Sequence, residues 1–200
     1  MHHIFKNGQV DQPIFVLLHG TGGDEHSLLG IANFLNPHAS YLSLRGQVSE
    51  NGALRFFKRK AEGLYDEADL AEKTIETAAF IKEAAQTYDF DVNKVILVGF
   101  SNGSNIGISL MLADQSPFKK GILMAPMYPI DTHQLKESKA QSSVFLSLGR
   151  QDPIVPLDQS HKVISEFESR GAQVESYWVT SHQVTESSLE AAKDWLEKIE

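Results

Sequence analysis

The chain has 200 residues, 42% of them hydrophobic and 22% charged, which is ordinary for a globular protein and enough for one substantial core. A formal net charge of −8 argues against a general affinity for nucleic acid or for anionic membrane surfaces. With no cysteine, neither a disulfide framework nor a thiol nucleophile is available. The opening Met1-His2-His3-Ile4-Phe5-Lys6 lacks the apolar core of a signal peptide, and no run approaches the roughly eighteen apolar residues of a membrane span. A cytoplasmic protein without a membrane partner is expected.

Ile14-Phe15-Val16-Leu17-Leu18 reads as a strand buried on both faces, ending in the glycine-rich turn His19-Gly20-Thr21-Gly22-Gly23-Asp24-Glu25. Leu28, Leu29, Ile31, Ala32 and Leu35 then mark a helix with Asp24 as its N-cap, stopped by Asn36-Pro37. Tyr41-Leu42-Ser43-Leu44 is a short strand leading into Arg45-Gly46. Residues 46–65 show no period and form the longest irregular stretch, and long loops in compact domains tend to be functional. Leu70, Thr74, Ala78, Ile81, Ala85 and Tyr88 repeat at three and four, predicting a long amphipathic helix. Val95-Ile96-Leu97-Val98 is a buried strand running into Gly99-Phe100-Ser101-Asn102-Gly103 and a further helix. Strands are expected at Gly121–Ala125, Val144–Gly149 and Val174–Val179. Helices are expected at about Leu157–Ser169, with Gly171 at the C-cap, and through Leu189, Ala192, Leu196 and Ile199. The alternation predicts one α/β domain over residues 1–200, three layers deep, around a mainly parallel sheet.

Gly99-Phe100-Ser101-Asn102-Gly103 fits a G-x-S-x-G nucleophile elbow, in which a strained turn lifts the serine above the sheet edge. The pattern alone is weak; its strand-turn-helix setting strengthens it. A serine hydroxyl needs a base, and the base needs a carboxylate to orient it. Asp152 follows the strand ending at Gly149, and His182 follows the strand ending at Val179. Both therefore project from the same edge as Ser101, in the order serine, acid, histidine. Alone, Asp152 would read equally well as a turn-forming Asp-Pro. Oxyanion donors are expected from the backbone N–H groups of Asn102 and Thr21, with Gly22 as the alternative to Thr21. His19 reads as structural. Phe56, Phe57 and Tyr65 are candidates for a substrate-pocket wall or for core. Arg45 and Arg59 could select an anionic substrate or lie on the surface. Asp24, Glu25 and His26 lack a metal-ligand spacing, so neither metal nor cofactor is expected.

The stretches Leu18–Glu25, Leu42–Gly46, Arg55-Phe56-Phe57, Val98–Gly103, Arg150–Pro156 and His182-Gln183 together resemble the α/β-hydrolase superfamily. Within it they are similar to the phospholipase/carboxylesterase family, which includes acyl-protein thioesterases, and to its small bacterial branch of carboxylesterases and hydroquinone-resistance hydrolases. The resemblance implies Ser101, Asp152 and His182 as triad, Thr21 and Asn102 as oxyanion donors, and cleavage of carboxylic esters through an acyl-enzyme, small esters being expected from the light cover over the pocket; it also admits a homodimer. Ser181 departs from the glycine common before the histidine. Larger relatives insert lid domains after the strand that follows the nucleophile helix. Here only Met127–Ser142 fills that interval, so no large lid domain is expected. The alternatives are a thioesterase or lysophospholipase and, from another class, a catalytically silent ligand-binding module.

Overall fold

In the computed structural model, which describes residues 1–199, the continuous apolar runs are strands buried on both faces, and the periodic runs are helices laid over them. The chain begins β1 (His3–Lys6), β2 (Ile14–Leu18), α1 (Leu29–Leu35), β3 (Ser40–Leu44). Four short strands follow: β4 (Val48–Glu50), β5 (Ala53–Arg55), β6 (Arg59–Ala61) and β7 (Leu64–Tyr65). Next come α2 (Glu67–Tyr88), β8 (Val95–Phe100), α3 (Asn102–Leu112) and β9 (Lys120–Met124). The chain closes with β10 (Ser143–Gly149), α4 (Leu157–Glu168), β11 (Gln173–Val179) and α5 (Glu186–Ile199).

Seven strands form one sheet in the order β1-β3-β2-β8-β9-β10-β11; all run parallel except β1, which pairs antiparallel with β3. Successive side chains of a strand point to opposite faces. Ile14, Val16, Leu18, Val95 and Leu97 accordingly join one cluster with residues of α2, α3 and α4. Phe15, Leu17, Ile96 and Val98 join the other, with Ala32 and Leu35 of α1 and Ala192, Trp195 and Leu196 of α5. Burial of each such side chain contributes about 1.5–3 kcal/mol, so the sheet centre is a rigid base for its loops. The chain reverses its direction of sheet growth between β2 and β8. That places the carboxyl ends of both strands at the crevice where open α/β sheets bind ligands.

Three features differ from the sequence expectation. β1 is an additional edge strand, half-buried along its length, which is why it lacks a continuous apolar signature. Residues 46–65 are not irregular: β4–β5 and β6–β7 form two hairpins. The first turns at Asn51-Gly52 with φ of +52° and +87°, the backbone that Asn-Gly adopts in two-residue hairpin loops. Asp24 does not cap α1, because a separate turn follows it and the helix begins only at Leu29. The Asp24 carboxylate accepts from the His26 N–H at 2.9 Å within that turn, and Leu28 precedes α1 without a side-chain cap. Between β9 and β10 the described residues contain no helix or strand, so no large lid domain is inserted there.

Candidate active site

The elbow is forced by close packing. Ser101 has φ +50° and ψ −117°, a sparsely populated conformation that costs of order 1–3 kcal/mol. A Cβ on Gly99 would press on the Ser104 backbone, and one on Gly103 would run into the Leu18 carbonyl. Only glycine at both positions lets β8 turn into α3 this tightly against β2. The Ser101 N–H donates to the Met124 carbonyl at 2.9 Å, which ties the strained residue to the neighbouring strand.

Asp152 and His182 are placed by register. Gly149 pairs with Val179 at the ends of β10 and β11, and each candidate residue lies three positions further on. The two loops are laced together by Arg150 N–H to Val179 O (2.9 Å) and Gln151 N–H to Thr180 O (2.7 Å). Ser101 Oγ lies 2.9 Å from His182 Nε2, and His182 Nδ1 lies 2.7 Å from Asp152 Oδ2. The other carboxylate oxygen, Oδ1, accepts from Ile154 N–H at 2.8 Å and Val155 N–H at 2.9 Å. Pro153 has no N–H, so the loop bends to present the next two. A carboxylate can only accept, so the proton sits on Nδ1 and leaves Nε2 to accept from the serine hydroxyl. The Asp152 side chain is fully buried.

The loop after β2 lies against Ser101. Gly22 N–H donates to Leu54 O at 2.9 Å and Gly23 N–H to Gly20 O at 3.0 Å, so Gly22 has no free donor. Among the described residues, the N–H groups of Thr21 and Asn102 have no protein acceptor. Buried His19 holds this loop: its Nδ1–H donates to Gly20 O at 2.7 Å, and Nε2 accepts from Gly46 N–H at 2.9 Å. Burial lowers its pKa below the ordinary 6.5, keeping it neutral for both bonds.

The two hairpins complete the site through contacts that the sequence does not show, although it singles out Arg55, Phe56, Arg59 and Tyr65 themselves. Buried Arg55 donates from Nη1 to Thr21 Oγ1 at 2.8 Å and from Nε to Phe57 O at 3.2 Å. Phe56 N–H donates to Asn102 Oδ1 at 2.8 Å. A cavity of about 340 Å³ opens beside Ser101 and His182 and is lined by Thr21, Asn102, Arg55, Arg59, Tyr65, Met127 and Ile154, among others. Tyr65 is on its wall; Phe56 and Phe57 are not. Their rings are 3% and 0% exposed and pack into the core, because the chain after β5 directs the aromatic pair inward and leaves the cavity to the charged residues on either side. Tyr65 donates to Met127 O (2.9 Å) and accepts from Asn105 Nδ2 (2.6 Å), while burial raises its pKa so that the phenol stays protonated. Arg45 is absent from the cavity: it grips Glu25 through both carboxylate oxygens, at 2.5 and 2.6 Å, and holds that carboxyl down to about 2. Asp24, Glu25 and His26 do cluster, but Glu25 is taken by Arg45.

The layered, mainly parallel sheet with these loops at its carboxyl edge is that of an α/β hydrolase. Residues 1–200 match the family described as Phospholipase/Carboxylesterase, and the chain belongs to that family. It is 42% identical to the putative hydrolase MhqD of Bacillus subtilis (strain 168) over 196 residues, which cover 98% of this chain and 97% of that one. The crystal structure of the Bacillus cereus carboxylesterase is similar at TM-score 0.95 and 41% identity, covering 98% of this chain and 93% of that one. YahD, solved with malic acid, is similar at TM-score 0.93 and 34% identity over 100% and 99% of the two chains. No helix among the described residues is long and apolar enough to cross a membrane.

Proposed function

We propose that the protein is a serine carboxylesterase that cleaves small esters through an acyl-enzyme. The observation that carries this reading is the continuous chain from Ser101 Oγ to His182 Nε2 at 2.9 Å and from His182 Nδ1 to Asp152 Oδ2 at 2.7 Å. Ser101 Oγ attacks the ester carbonyl while its proton passes to His182 Nε2. Asp152 holds the tautomer and stabilises the imidazolium. The N–H groups of Thr21 and Asn102 receive the developing oxyanion. The imidazolium then protonates the departing alkoxide, and water repeats the sequence to release the acid.

Small substrates are favoured by a cavity near the lower end of the usual range for ligand sites and by the missing lid domain. Each CH₂ left outside such a cavity forgoes about 0.8 kcal/mol of binding. The malic acid with which the relative YahD was solved is also small and polar. On this reading residues 1–200 act as one unit in the cytoplasm, without metal or cofactor, and a homodimer is open to a sizing measurement. A fluorophosphonate probe should label the native protein and leave Ser101→Ala unlabelled. Equal labelling of both, or of neither, ends the reading, the latter in favour of a silent binding module. In a p-nitrophenyl ester series kcat/KM should peak at short acyl chains; a maximum at dodecanoate or longer would favour a lysophospholipase or thioesterase.

A further inference from the structure

Resting on that reading of Ser101, we infer that the hairpins build an anion subsite beside the nucleophile, and that the substrates are esters carrying a carboxylate on the same small molecule. Two guanidinium groups, Arg55 and Arg59, line the cavity that contains Ser101. They share one carboxylate: Glu50 lies 3.3 Å from Arg55 Nη1 and 3.0 Å from Arg59 Nε. One positive charge is therefore left over in a partly desolvated place, because the Arg55 side chain is only 5% exposed. The remaining acid on the cavity wall, Glu62, sits on the exposed β6–β7 turn, where water screens it.

The donors point to the same ligand. Arg59 spends Nε on Glu50, and among the described residues its Nη groups have no protein acceptor; Arg55 Nη2 has none either. None of these nitrogens is sealed from solvent. A planar guanidinium with unspent N–H groups pairs with a carboxylate through two parallel bonds, which a neutral ester cannot return. The volume of about 340 Å³ must hold both the reacting ester and the anion, so the two stand a few bonds apart. Arg45, the other basic candidate near the site, is already committed to Glu25.

The test compares anionic esters with their neutral amide counterparts of nearly equal shape. One pair, 4-acetoxybenzoate and 4-acetoxybenzamide, puts the charge on the alcohol side. The other, monomethyl adipate and methyl adipamate, puts it on the acyl side. The quantity read is the ratio of kcat/KM within a pair, so partial loss of folded protein in a variant cancels. The native enzyme should favour the anion about tenfold or more in at least one pair, corresponding to about 1.4 kcal/mol. Arg59→Gln should bring that ratio close to one, and Arg59→Lys should keep part of it as a point charge. A native ratio near or below one in both pairs, in an enzyme that cleaves p-nitrophenyl acetate, overturns the subsite. So does a preference that survives Arg59→Gln. Failure to cleave any ester, together with no fluorophosphonate labelling, strikes the serine-esterase reading itself.

Discussion

Ser101, Asp152 and His182 leave the sheet within three residues of a strand end, whereas Arg55, Arg59 and Tyr65 sit on hairpins whose strands are two or three residues long. The first group inherits its geometry from β8, β10 and β11, whose parallel register is set by cores on both faces. The second could not hold its shape alone, since isolated two-stranded hairpins are marginal in water. The first hairpin is held by Gly46 N–H on His19, Leu54 O on Gly22, Arg55 on Thr21 and Phe56 N–H on Asn102, and the second by the Tyr65 hydroxyl between Met127 O and Asn105 Nδ2. The proposed triad is thus fixed by the scaffold, and the walls around it are fixed by bonds to its neighbours.

The sharpest way to separate the two regions is to strike the scaffold-borne group. Ser101→Ala should lower kcat for p-nitrophenyl acetate by roughly 10⁴–10⁶-fold, with Tm little changed, because alanine keeps the Cβ and with it the backbone conformation at φ +50° and gives up only the hydroxyl's bond to His182. A variant retaining a tenth of native turnover would refute the assignment. Asp152→Asn should cost on the order of 10³–10⁴ in kcat, since the amide favours the wrong imidazole tautomer. Asp158→Asn, in the first turn of α4, serves as the control and should stay near native rates.

Thr21 lies where the two regions meet, so its variants read both. Thr21→Pro deletes the N–H and should cost about 10²–10³ in kcat. Thr21→Ala keeps the N–H but takes an acceptor from buried Arg55, so stability should fall by about 1–3 kcal/mol, or a few degrees in Tm, with only a few-fold change in kcat. A large kcat defect in folded Thr21→Ala would assign the chemistry to the hydroxyl.

The smallest effect is on acid stability. Below pH 6.5 an unfolded His19 binds a proton that the buried one resists, so stability falls as pH drops from 6.5 toward the lowered folded value. Glu25 acts lower: its contribution is present above 4.5 and is lost as pH falls from 4.5 to about 2. Urea midpoints across this range should decline in both windows, and Glu25→Gln should flatten only the lower one. An unchanged lower window in Glu25→Gln would mean that the Arg45 pair contributes nothing to folding.

Much of the scaffold half was legible in the sequence. Central strands are buried on both faces, and their unbroken apolar runs at Ile14–Leu18 and Val95–Val98 announce them. The placement of Asp152 and His182 after strands, in the order an elbow serine requires, is likewise local information; the distances between them are not. The hairpin half was mostly illegible. Strands of two or three residues are too short to show a period, and Asn51-Gly52 and Gly63 carried the local turn signals. Arg55 and Thr21 are 34 residues apart, and Arg45 and Glu25 are 20 apart, so neither partner marks the other along the chain. The doublet Phe56-Phe57 illustrates the ambiguity: aromatic rings suit a pocket wall and a core equally well, and only burial separates them.

Both hairpins belong to one uninterrupted stretch of chain between β3 and α2. In genetic terms that stretch is a cassette. A single recombination event, or a short insertion at a hairpin tip, can exchange the charged part of the cavity wall without touching the codons for Ser101, Asp152 or His182. The backbone bonds of Leu54 and Phe56 are the docking points an incoming cassette must reproduce.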